Sequence, residues 1–157
     1  MSRRTGGAGV QVGTVTARGG KIIGVAHTGP EDQVLTVKGG KGGYQRTPCA
    51  ECPWRKDAPV GAFSTGAFIH SANCAEDGSL HSFGCHMGGA DGNVTCAGFL
   101  LRGAEHNMSV RLGYIRGKYG DLDQTPPDLY EDYVDMAVAN GVDPDHPALK
   151  RARRRRD

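Results

Sequence analysis

Aromatic residues are scarce in this chain, 6% of 157, with a single tryptophan, and hydrophobic residues of every kind reach only 38%. Glycine occurs 25 times. It buries no side chain and loses the most backbone freedom on folding, so the material for an apolar core is thin. Small folds short of core are commonly held by a covalent or metal crosslink. No apolar run approaches the roughly 20 residues of a membrane-spanning helix. The stretch "MSRRTGGAGV" has basic residues but no apolar segment behind them, unlike a secretory signal. The expectation is a soluble, intracellular protein with no membrane partner.

Motifs of familiar catalysis are also missing. There is no HExxH, no nucleophile elbow and no phosphate loop. The zinc-deaminase pattern is half met: "PCAEC" matches its second part, but no His-x-Glu exists and the order would be reversed.

What the chain does have is five cysteines, Cys49, Cys52, Cys74, Cys85 and Cys96. An odd number in a reducing compartment argues against a disulfide framework and for a metal. Cys49 and Cys52 form a CxxC turn stiffened by Pro48 and Pro53. Zinc takes four ligands in a tetrahedron, typically with one close pair on a tight turn. The second half of the shell would be Cys96 and one residue of the adjacent pair Cys85 and His86, brought together by the glycine-rich loop "HMGGADGNVT". Four thiolates would suit an iron–sulfur cluster as well as zinc, whereas His86 would favour zinc. A thiol redox site is a third outcome. Cys74 lies in a predicted helix and reads as a free buried cysteine. His70 and His106 read as structural or supporting residues, and His27, His81 and His146 as surface residues. Arg55 and Lys56 read as solvated charges, and Trp54 as a core anchor over the metal turn.

The net charge of +2 conceals an asymmetry. Residues 150–157 hold six positive charges and one negative, so the remainder stands at −3. The ordinary reading of "KRARRRRD" is a solvated tail. The functional reading is weak, nonspecific nucleic-acid contact through Arg153, Arg154, Arg155 and Arg156.

Residues 1–9, polar and glycine-rich, are expected to be disordered. Between 10 and 43, "VQVGTVTA", "KIIGVAHT" and "QVLTV" alternate with turn signals and predict an antiparallel β meander, followed by the flexible "KGGKGGY". A short helix is predicted in "FSTGAFIHSANCA", capped by Ser64 with Phe63 and Phe68 as a hydrophobic staple. A second, in "EHNMSVRLGYIRGK", puts Met108, Leu112 and Ile115 on one face and stops at Gly117 or Gly120. A third is predicted from a Thr125 cap and Pro126 to Gly141, with Leu129, Tyr133, Met136 and Ala137 on one side and Asp132 and Asp135 facing out. The fold class is therefore α+β: a small metal-stapled domain with an N-terminal β meander, a Cys-rich zinc-knuckle core and about three helices.

"TPCAECPWRKD", "FIHSAN", "FGCHMGG" and "TCAGFLLRGAEHNMSVRL", in that order, resemble an uncharacterised bacterial and bacteriophage family, domain of unknown function 6283. "DLYEDYVDMAVANGVDPDHPAL" resembles the end of phage members. The resemblance covers residues 44–149 and implies Cys49, Cys52, Cys85, His86 and Cys96 as the motif positions, with Cys74 outside the shell. Segments 10–43 and 150–157 lie beyond it. The family brings no activity with it. The expected function is a phage or prophage-type noncatalytic zinc-binding module in the cytoplasm of a bacterial host, contacting nucleic acid or a host protein. The alternatives are an iron–sulfur redox or sensor protein, and a metal- or thiol-dependent enzyme with His86 and His106 near an open position.

Overall fold

The structure is a computed structural model and describes residues 2–4, 10–30, 32–86 and 94–155. It shows a small mixed α/β domain. Strands β1 (Ser2–Arg4), β2 (Lys21–His27) and β3 (Asp32–Lys38) form an antiparallel sheet in the order β1-β3-β2. A bulge interrupts the β2–β3 ladder between Ile22 and Gly24. The predicted meander is only partly realised. "VQVGTVTA" is not a regular strand; it turns back on the start of β2 through Ile22 N–H to Thr14 O (2.9 Å) and Thr16 N–H to Gly20 O (2.7 Å). Val12 and Val15 stay exposed there, with no apolar cover to favour a longer ladder. The free edge of β3 is taken instead by Ser2–Arg4, within the segment expected to be disordered. Residues 1 and 5–9 lie outside the described residues.

Strand β4 (Gly43–Tyr44) follows the glycine-rich link and pairs in parallel with β5 (Val94–Thr95). Helix α1 (Thr65–Ser71) begins at Ser64 as predicted, and the Phe63 and Phe68 rings meet edge to face at 6.4 Å. The Ser64 hydroxyl makes no capping bond; its amide instead donates to Asp32 Oδ2 (2.8 Å), tying the helix to β3.

Helix α2 (Met108–Ile115) is capped by Asn107, whose Oδ1 accepts from the Val110 amide (3.0 Å). The Asn107 amide group donates to the carbonyls of Cys74 (3.1 Å) and His81 (2.7 Å), so one buried side chain joins three segments. Gly117, at φ +73°, ends the helix. The Met108, Leu112 and Ile115 face is solvent-exposed. The buried face carries Val110 and Gly113, because Tyr119 packs so close that a Cβ on Gly113 would lie 2.5 Å from its ring.

Helix α3 (Tyr133–Ala139) starts seven residues later than the sequence suggests. Pro127 disfavours helical backbone at Pro126. The segment then runs extended beside residues 54–56: Lys56 N–H donates to Asp128 O and Tyr130 N–H to Trp54 O, each at 3.0 Å. Asp132, expected to face out, is buried and caps the helix by accepting from the Asp135 amide (3.0 Å). The predicted stop is correct. Gly141 has φ +103°, and the Val142 and Gly141 amides donate to Ala137 O and Val138 O, a Schellman closure.

The core converges on Trp54, which is fully buried among Phe83 (5.9 Å between centroids), Tyr133 (5.9 Å) and Phe99 (6.4 Å). Backbone presses on both ends of the indole. A Cβ on Gly98 would lie 2.6 Å from Trp54 Cβ, and one on Gly103 2.3 Å from Trp54 Cη2. Neither ring nor backbone can yield cheaply there. Gly98→Ala is therefore expected to lower stability by about 1–3 kcal/mol through overpacking, measured by urea unfolding; a neutral or stabilising substitution would contradict this packing.

Candidate metal centre

Two short devices bring the ligand-type side chains together. The first is the turn at Cys49–Cys52, closed by Cys52 N–H to Cys49 O (3.0 Å) and continued by Arg55 N–H to Cys52 O (3.0 Å). Two residues after each cysteine a backbone amide, that of Glu51 or Trp54, hydrogen-bonds its sulfur. Amides so placed stabilise thiolates. The second is the pairing of residues 83–85 with 94–96: Cys85 N–H donates to Val94 O (2.7 Å) and Cys96 N–H to Phe83 O (2.9 Å). The connecting residues 87–93 lie outside the described residues.

The Cys52 and Cys96 sulfurs are 3.5 Å apart. Cys49 Sγ lies 3.8 Å from His86 Nε2 and 3.9 Å from Nδ1. Ligand atoms of Cys49, Cys85 and His86 all fall within 4.8 Å of one another, and this group can hold a metal ion. Cys49 interacts in turn with Cys52. Both members of the Cys85–His86 pair thus reach Cys49, where the sequence suggested that one would take part.

The electrostatics fit a site that awaits a cation. Cys52 first and then burial push the Cys49 thiol up, while Cys85 pulls it down. At Cys52 the hydrogen bond with Cys49 lowers the pKa, but Cys96 and burial together outweigh it. Without positive charge the thiols stay protonated, and a metal must displace those protons, so binding strengthens as pH rises. Burial lowers the His86 pKa against the opposing pull of Glu51, whose Oε2 is 3.6 Å from Nε2. The imidazole is then neutral near pH 7 and has a lone pair to donate. Its ring packs on Phe63 at 5.1 Å.

Cys74 is buried in the turn Ala72–Ala75, belongs to no such cluster among the described residues, and has its thiol pKa raised by burial, as a free core cysteine should. His70, His27 and His81 are exposed, and His146 Nδ1 accepts from the Ala148 amide (3.1 Å). His106 faces Asp77 at 3.9 Å and stands apart from the cluster. Arg55 is held by Asp57 in a two-point ion pair (2.7 Å each), and Lys56 lies 3.7 Å from Asp128.

The basic tail is not the solvated appendage expected from its composition. Ala152 is buried and bridges to Glu76, and Arg153 N–H donates to Ala75 O (2.8 Å). Arg154 bonds Asp132 (2.8 Å) and Asp135 (2.7 Å); Arg155 bonds Glu105 (2.8 Å) and lies 3.5 Å from Glu131. Arg156 lies outside the described residues. The signal available in the sequence was the acidic run Glu131, Asp132, Asp135, which needed a counter-charge from somewhere in the chain.

Residues 44–154 match the family described as "Family of unknown function (DUF6283)". The chain belongs to the DUF6283 family. The matched region begins at β4, holds all five cysteines and His86, and extends to Arg154, past the limit of 149 suggested by the motifs. The β2–β3 hairpin lies outside it. Comparison with curated proteins and with solved structures returned no match.

Replacement of Cys49, which touches both halves of the cluster, should release bound metal. Cys49→Ser is expected to reduce metal per chain severalfold while Cys74→Ala leaves it unchanged, measured by elemental analysis of the purified variants. Equal metal content in the two would rule out Cys49 as a ligand.

Proposed function

We propose that this protein is a small, noncatalytic binding module whose domain is stapled by one zinc ion, held by Cys49, Cys52, Cys96 and one of Cys85 and His86. The observation that carries this reading is the spacing of the donor atoms. A tetrahedron with Zn–S bonds of about 2.3 Å has edges of roughly 3.8 Å. The Cys52–Cys96 separation of 3.5 Å and the Cys49–His86 separation of 3.8 Å are of that size. A cluster of several irons is wider than one ion and would hold its thiolates farther apart.

The surroundings favour a staple over a catalytic centre. The cavity beside His86 and Cys96 is lined by Pro53, Phe63, Phe68 and Phe83 and measures about 10 Å³, room for about one water. A shell of three or four thiolates also leaves bound water a poor acid. For the binding role, α2 offers an exposed apolar face with Met108, Leu112 and Ile115, which supports a protein partner. Nucleic-acid contact through the tail would have to compete with the carboxylates that hold Arg154 and Arg155. The family resemblance supports a bacterial or bacteriophage setting, and a reducing cytoplasm would keep the thiols free for metal.

Metal and acid-labile sulfide analysis of protein purified with and without air tests the assignment. One zinc per chain and no sulfide is the expected result. Iron with stoichiometric sulfide in the anaerobic sample would replace the zinc reading by the iron–sulfur one.

A further inference from the structure

A second polar site lies away from the cysteines. The glycine-rich loop 39–43, together with Ser82, Thr95, Ser109 and Lys118, lines a cleft of about 330 Å³. This volume falls at the small end of ligand pockets, mononucleotide in scale. The cleft sits on the seam between the β2–β3 hairpin and the family-matched region, which starts at Tyr44.

Its chemistry has one sign. Lys41 and Lys118 line it together with four hydroxyl-bearing residues, Ser82, Thr95, Ser109 and Tyr119, and no carboxylate is among the described lining residues. Arg18 adds a third cation at the rim: a Cβ on Gly43 would lie 3.2 Å from its guanidinium. Among the described residues none of these three cations makes an ion pair. The contrast with Arg154 and Arg155, which are met by carboxylates, is direct.

The loop is also held in place. Lys41 N–H donates to Arg18 O (2.8 Å), and Gly40, at φ +84°, lies so close to the turn at Gly20 that a Cβ would meet the Gly20 nitrogen at 2.5 Å. A side chain at Gly40 would break that contact, so glycine there is required by geometry. A glycine backbone allows an anion to approach main-chain N–H groups closely, and fixed donors lose little freedom on binding.

We propose that this cleft binds the phosphate group of a small phosphate ester of mononucleotide size, with Lys41 and Lys118 as its charged partners and Ser82, Thr95 and Ser109 as hydroxyl donors. The proposal stands independently of the metal reading, since none of these residues belongs to the cysteine cluster.

Isothermal titration of the full chain with adenosine 5′-monophosphate, inorganic pyrophosphate, adenosine and a short oligothymidylate tests it. Both small phosphate-bearing probes should bind, adenosine should not, and the oligothymidylate should bind no better than the monophosphate. The Lys41→Ala, Lys118→Ala double variant should lose affinity by about tenfold or more with an unchanged melting temperature. Ser109→Asp, which sets a carboxylate in the cleft, should lose it as well. Tighter oligothymidylate binding that the same substitutions abolish would keep the site and assign its phosphate to a polynucleotide. Absence of binding by every phosphate-bearing probe at about 1 mM, or affinity indifferent to both variants, would overturn the proposal.

Discussion

The contact between Trp54 and the backbone of Gly98 and Gly103 determines where the cysteines meet. Trp54 follows Cys52 by two residues and Gly98 follows Cys96 by two, so seating the indole against Gly98 draws the two sulfurs to 3.5 Å. The aromatic cluster then surrounds the same point: Phe83 stands two residues before Cys85, and Tyr133 sends its hydroxyl to Phe68 O (2.5 Å), joining α3 to α1. Packing and ligand placement are one arrangement here. A chain with little to bury has concentrated its aromatic residues around the site that needs them.

That arrangement sets up a conflict which a cation would resolve. Burial of several thiols and an imidazole in contact is unfavourable for their ionised forms, yet the turn aims amides at two of the sulfurs as if they carried charge. Four thiolates around a divalent ion leave a formal charge of about −2, and three with His86 about −1, within what backbone amides can stabilise. Without an ion the same residues form a protonated, half-satisfied cluster at the centre of a sparse core.

Much of the site was legible in the sequence because it depends on local chemistry. The CxxC turn, the Phe63–Phe68 staple, Trp54 as an anchor, Gly117 and Gly141 as stops, and Cys74 as a bystander all follow from short-range spacing. The misread elements are those decided by distant partners. Thr125 and Pro126 look like a helix start, but residues 128–130 are held extended by backbone bonds to 54–56. "VQVGTVTA" has strand composition, but its Val12 and Val15 find no apolar cover, and it only turns back on the start of β2. The arginine-rich end looks solvated until Asp132, Asp135, Glu105 and Glu131 are seen to receive it. That His86 joins Cys85 at Cys49 was equally hidden, because adjacency in the chain does not say whether two neighbouring side chains reach the same point.

If the metal is a staple, folding and binding are a single equilibrium. The direct measurement is the thermal melt of the protein, by circular dichroism under reducing conditions, before and after a strong chelator has removed the metal. The account predicts that the cooperative transition is lost and is restored by adding back one equivalent of zinc. A metal-free protein that keeps its cooperative melt at an unchanged temperature would contradict it.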